Sequence, residues 1–333
     1  MYPKTVARRV AGNFAGSLSG ANIVFASDLP RSNGLSSSSA LVVATFLALR
    51  EINDLTHHPA YRKNIATDED LATYLGCVEN GQSFLGLTGH SGVGTFGGSE
   101  DHTAILCCRA DWLSQFRFCP ARLEQEVPLP AGCVFVIGVS GMVAEKTGAA
   151  RAKYNEASLA AKTILAMWNE ASRRSDPTLF DAATGSPDAA DRIRGMLRDS
   201  SHPFYSCDTL LGRFEQFLNE TMRHIPGAVN ALARGELEAF GDWVDRSQAD
   251  AERHLGNQVP ETAELARSAR ALGAIAASAF GAGFGGSVWA MIQADAAPEF
   301  LNRWKEHYQQ RFPARAGRSE FFVSAASGPA FVF

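Results

Sequence analysis

Residues 29–44 read LPRSNGLSSSSALVVA. A strand-like run, ANIVFAS over 21–27, leads into a Pro/Asn/Gly turn; four consecutive serines follow, and then the apolar run 40–49. These signals predict strand, loop and helix, with Gly34 and the serines at the helix N-terminus. The first turn of a helix has N–H groups without partners and the positive end of the macrodipole, so an anion fits there. Small residues let a phosphate chain approach the backbone, and serine hydroxyls add donors or a ligand for Mg²⁺. Taken alone, the pattern also describes a serine-rich cap on an ordinary buried helix.

A chain of 333 residues predicts two domains, at about 150 residues each. With 46% hydrophobic and 20% charged residues it has the composition of a soluble globular protein with ample core. A net charge of −4 gives no footprint for nucleic acid or for an acidic membrane surface. Cys77, Cys107, Cys108, Cys119, Cys133 and Cys207 form no CxxC pair and no metal-ligand spacing, which predicts reduced thiols and a cytoplasmic location. Residues 1–15 lack a basic region followed by an apolar core, so no secretory leader is expected there. The uncharged run 271–294 is long enough for a membrane span, but glycines 281, 283, 285 and 286 interrupt it. It predicts two buried strands around a glycine loop.

Residues 2–14 carry Val6, Val10 and Phe14 at helical spacing. A helix over 68–84 is expected, with Asp68 as its cap, Leu71, Leu75 and Val78 as its apolar stripe, and Glu79 near its end. TGHSGVGTFGG over 88–98 contains a formal GxGxxG, but no strand precedes it and no ribose-binding acid follows, which argues against a dinucleotide fold. The loop delivers the chain to Asp101, either a simple cap or a carboxylate held by a tight turn beside the phosphate loop. Strands are expected at 116–118, 123–127, 133–139, 320–324 and 330–333, and on both sides of the 281–286 loop. Helices are expected over 143–172, 208–224, 226–234, 236–255, 260–272 and 296–312. The Pro/Asp/Gly/Ser-rich 175–190 predicts a mobile connection.

GLSSSSALVVA together with the late GAGFGGSVWAMI resembles the second and third signature motifs of the GHMP small-molecule kinases. SGMVAEKTGAARAKYNEA over 140–157 and the helical stretch 212–247 are similar to the galactokinases within that superfamily. The resemblance runs over nearly the whole chain. It implies an α+β, two-domain fold: an ATP-binding domain of the ribosomal-protein-S5-like type over 1–145, and a ferredoxin-like, helical C-terminal domain over 146–333. The active site would lie between them.

Carried over residue by residue, the resemblance makes Gly34, Leu35, Ser36, Ser37, Ser38 and Ser39 the wrap around the ATP phosphates. Gly283, Gly285 and Gly286 would support it from the second domain. Ser38 and Glu79 would hold Mg²⁺, Asp101 would be the base for a sugar's anomeric hydroxyl, and Gly98 and Tyr154 would touch that sugar. Such roles suit phosphoryl transfer, which needs mainly positioning and charge neutralisation. Each has a plainer competitor: Glu79 as a solvated charge, Tyr154 as a packing aromatic, 281–286 as a turn between strands.

Three departures accompany the resemblance. The 88–97 loop is inserted between Glu79 and Asp101. Glu100 and His102 flank the aspartate where methionine and glutamine are usual. The first family motif is not found in the 33 residues before Gly34, so the N-terminal sheet is expected to be incomplete and to need a partner or an upstream segment. The expected activity is ATP-dependent phosphorylation of a monosaccharide such as galactose at the anomeric hydroxyl. The alternatives are a kinase for arabinose or a heptose on the same fold, and a non-catalytic sugar- or ATP-binding relative.

Overall fold

The computed structural model describes residues 1–30, 33–143, 151–281 and 283–332, with residues 151–154 described by backbone alone. Helices α1 (Tyr2–Asn13), α2 (Ser37–Ile52), α3 (Pro59–Asn64), α4 (Asp68–Asn80) and α5 (Glu100–Cys107) come first. They pack around one core that includes Val6, Phe14, Val42, Phe46, Leu71, Tyr74 and Leu75. Burying one such side chain contributes about 1.5–3 kcal/mol, so this stripe pattern holds the cluster together. α4 starts at Asp68 as expected but ends at Asn80, where Gly81 turns left-handed at φ 85, short of the expected 84. Thr67, not Asp68, is its cap, and Thr67 and Asp70 bond reciprocally across the first turn.

A hairpin follows, β1 (Trp112–Arg117) against β2 (Arg122–Pro128), with β1 half-buried and β2 exposed apart from Glu126 and Val127. Next, β3 (Cys133–Val139) leads into α6 (Arg151–Ser172), α7 (Leu179–Thr184), α8 (Ala189–Arg198) and α9 (Cys207–Asn219). These four helices share a core of Ile164, Trp168, Leu179, Ile193, Leu197, Leu210 and Phe214. A π-turn at Glu220–His224 joins α9 to α10 (Ile225–Ala233). α11 (Leu237–Asp250) ends in a second π-turn, Ala251–Leu255. Then come α12 (Pro260–Ala271), β4 (Ala276–Ala279), β5 (Ser287–Gln293), α13 (Ala297–Arg311) and β6 (Glu320–Ser324).

The main sheet is antiparallel, in the order β4-β5-β3-β6. Its strands alternate between two faces. Val136, Val288, Ala290 and Ile292 meet α12 and α13, with Trp304 and Tyr308 fully buried. Phe135, Trp289 and Met291 face α10 and α11. Covering on both sides explains why β3 and β5 read as continuous apolar runs. β3 precedes residue 145 yet pairs with β5 and β6, so this sheet begins before the domain boundary expected there.

The sequence-based expectation fails in three places. Residues 21–27 are not a strand: they have no regular structure, Val24 is 95% exposed, and no strand among the described residues pairs with them. An apolar run without a partner strand leaves its backbone to water. Residues 330–332 are not a strand either; Ala330 N–H donates to Ile105 C=O at 2.7 Å, laying the tail over α5. The 175–190 segment is no loose connection. Thr178 caps α7, and Trp168 Nε1–H donates to Asp176 at 2.9 Å, which also pairs with Arg174. No helix among the described residues is long and apolar enough to cross a membrane.

Candidate active site

The serine loop and the late glycine loop meet. Gly34, with φ +76, lies so close to Gly286, with φ +91, that a Cβ on Gly34 would come within 3.2 Å of the Gly286 Cα. A Cβ on Gly286 would lie 3.0 Å from the Asn33 carbonyl oxygen. Both positions therefore need glycine for conformation and for space. Ser287 Oγ–H donates to that same carbonyl at 2.6 Å. On the far side, Gly286 N–H donates to Met142 C=O at 3.1 Å, and Ser140 N–H donates to Gly286 C=O at 2.9 Å. Phe284 N–H donates to the Asn257 carbonyl, against which Gly283 is also packed. Phe284 is itself left-handed at φ +61, so 283–286 turn their backbone through a run of positive φ. The N–H groups of Phe284 and Gly286 are both donated within the protein, so this turn is braced by its own backbone.

Ser36 takes a left-handed conformation, φ 53 and ψ 30, and is the N-cap of α2; Ser37 and Ser38 open the helix. Gly34, Leu35, Ser36, Ser37 and Ser38 are all half-buried, whereas Ser39 is 1% exposed. Its Oγ lies 3.2 Å from Glu79 Oε2 and 3.3 Å from Asp101 Oδ2. The expected wrap thus divides, with the Ser39 hydroxyl turned into the helix cluster toward two carboxylates.

Small residues bring those carboxylates together. α4 and the start of α5 approach so closely that a Cβ on Gly76 would meet the Ser99 Cβ at 2.9 Å. Glu79 follows Gly76 by about one helical turn, and Asp101 follows Ser99 by two residues. His102 is 1% exposed, with Nε2 3.2 Å from Glu79 Oε2. The approach lacks the alignment of a hydrogen bond, and neither ring nitrogen has such a bond among the described residues.

The inserted loop is held in place. Val93 N–H donates to Glu79 C=O at 2.8 Å, and Asn80 Nδ2–H donates to Gly97 C=O at 3.1 Å. Asn155, 7% exposed on α6, accepts from Phe96 N–H at 2.9 Å and donates to Gly94 C=O at 3.1 Å. Gly98 is exposed and lies against the ring of the exposed Phe118: a Cβ would come 3.0 Å from it, and the ring would have to shift slightly. Tyr154 opens α6 beside Asn155, but its side chain lies outside the described residues, as do Lys146 and Ala282. Ser287, Asn155, Asn257 and the special position of Ser39 were not singled out from sequence. Each acts across elements distant in the chain, and only the Asn and Ser residue types hint at it.

Two family models match the chain, the GHMP kinases N terminal domain over residues 1–92 and the GHMP kinases C terminal over residues 228–310. Together they take in more than half of its length. The chain belongs to the GHMP kinases. This GHMP kinase is 26% identical over 311 residues to a galactokinase of Roseiflexus sp. (strain RS-1), covering 91% of this chain and 68% of that one. It is 27% identical over 287 residues to a galacturonokinase of Arabidopsis thaliana, covering 85% of this chain and 60% of that one. Its fold matches a Lactococcus lactis galactokinase solved with galactose, at a TM-score of 0.71 and 19% identity, covering 98% of this chain and 75% of the other. These relationships make it a galactokinase-like member of the family.

Proposed function

We propose that this GHMP kinase transfers the γ-phosphoryl group of ATP to the anomeric hydroxyl of a monosaccharide, with galactose the first substrate to try. The observation that carries the reading is the meeting of Gly34 and Gly286, with the Ser39-linked carboxylates of Glu79 and Asp101 on the same helix cluster. In this reading the backbone of 34–38 receives the phosphates, Gly283, Gly285 and Gly286 support that site from the other loop, and Gly98 and Tyr154 contact the sugar. Asp101 accepts the proton of the anomeric hydroxyl as its oxygen bonds to the γ-phosphorus, and ADP leaves with the electrons of the broken P–O bond.

Magnesium prefers hard oxygen donors, and the Glu79 carboxylate, which lies 3.2 Å from the Ser39 hydroxyl next to Ser38 in sequence, fits that preference. Ser38 and Glu79 would hold the ion, which when bound neutralises phosphate charge. The residues' own work is to orient the two substrates and to take up one proton. All six cysteines are free, in keeping with a reducing compartment such as the cytoplasm.

The galacturonokinase relative supports a second reading, a sugar acid as acceptor. An ADP-release assay with galactose, arabinose, a heptose and galacturonate at saturating ATP and Mg²⁺ tests both. Turnover of one sugar, lowered by about 10²–10⁴-fold in Asp101→Asn with ATP binding kept, is the expected result. Absence of turnover with every sugar overturns the reading.

A further inference from the structure

We infer that Ser39 is a positioning residue: its buried hydroxyl ties the Asp101 carboxylate to Glu79 and so fixes the direction in which Asp101 faces the cleft. Three helices meet at this one oxygen. Ser39 comes from α2, Glu79 from α4 and Asp101 from α5, at 3.2 and 3.3 Å. A hydroxyl has one proton to donate and lone pairs to accept, while an ionised carboxylate only accepts. With both carboxylates ionised, the Ser39 proton can point to one of them at a time. Once Asp101 has taken a proton it becomes a donor. Ser39 can then accept from Asp101 while turning its own proton to Glu79. No proton leaves Ser39, and a rotation about its C–O bond keeps the contact to Asp101 paired in both states.

The burial argues that this is the work of the hydroxyl. At 1% exposure Ser39 cannot also present its side chain to a ligand in the cleft, unlike the half-buried Ser36, Ser37 and Ser38. An alanine at the same place would leave two carboxylates of the cluster without their shared donor.

The inference rests on the phosphotransfer reading only for what Asp101 accepts, so its test has two arms. In steady-state kinetics, Ser39→Ala is expected to lower kcat by roughly ten- to a hundredfold, the scale of a small misplacement of a reacting group, with KM for ATP and sugar within about threefold. Ser39→Thr, which keeps the hydroxyl, is expected to recover most of that loss. A raised KM for ATP with kcat intact would instead make Ser39 a phosphate ligand, and unchanged kinetics would remove its role; either overturns the inference.

The second arm needs no turnover. Ser39→Ala is expected to lower Tm by about 2–4 °C in the parent protein, and by less than about 1 °C once Glu79→Ala and Asp101→Ala have removed both acceptors. Equal drops in the two backgrounds would show that the hydroxyl does not join these carboxylates. If no sugar is turned over, the kinase reading falls, and this cycle still decides the Ser39 link.

Discussion

Gly34 and Gly286 touch, yet they stand on unlike supports. Gly286 closes a turn between β4 and β5, strands bonded to each other and packed on both faces by α10–α13. Upstream of Gly34, residues 15–30 have no regular structure and carry Val24 and Phe25 in solvent. The serine loop is held from its other side, by α2 and the helices around it. A helix bonds its own backbone and needs neighbours only for its apolar stripe. A strand needs another strand before its side chains count for anything. Similar apolar runs therefore produce β5 in one part of the molecule and an exposed coil in the other.

The contrast can be broken in four ways. Trp304→Ala removes a ring that is 0% exposed and whose Nε1–H bonds Leu265 C=O at 3.1 Å, beneath the sheet that carries the glycine loop. Urea unfolding should show a loss of about 3–5 kcal/mol, and a loss below about 1 kcal/mol would mean that the paired sheet is not the stronger support. Gly286→Ala places a Cβ 3.0 Å from the Asn33 carbonyl at φ +91, a strain of about 1–3 kcal/mol. Calorimetric titration should find ATP binding weakened by about tenfold or more, whereas unchanged affinity would separate the two loops functionally.

Asp70 tests the helical side. Burial alone would raise its pKa, but the Arg122 guanidinium and the N–H groups of Ala66 and Thr67 outweigh it and hold the carboxyl below its ordinary 3.8. A depressed folded value stabilises the protein above the unfolded pKa and is lost as pH falls through the folded one. Asp70→Asn should thus cost about 1–2 kcal/mol at pH 7, with the gap from the parent closing as the pH drops below roughly 4. A gap independent of pH would assign the effect to packing. Smallest of all, Val24→Ser should change stability by less than about 0.5 kcal/mol, because Val24 is already in water. A larger loss in chemical unfolding would reveal that 21–27 is paired in solution.

These supports also explain what could be read from sequence. β3 and β5 were legible because CVFVIGV and SVWAMIQ are apolar throughout, as strands buried on both faces must be. α4 was legible in its stripe but not in its cap, since Thr67 and Asp68 are both good caps and only the Thr67–Asp70 pairing selects between them. α7 was hidden by loop-forming residues whose order comes from Trp168, Arg174 and Asp176. In the site, glycine and serine composition pointed to both loops. It could not say which serine turns inward, because that depends on how α4 and α5 dock beside α2, and it left His102 as a bare departure from pattern.

The contact between residues 34 and 286 has a thermodynamic consequence. Most of the polypeptide lies between them, so the niche they form exists only when these distant parts of the chain have come together. Any molecule that lodges there acts as a latch on the assembled state, and at a hundred times its Kd it would add about 2.7 kcal/mol to resistance against unfolding. Melting the protein with and without nucleotide would read that latch directly.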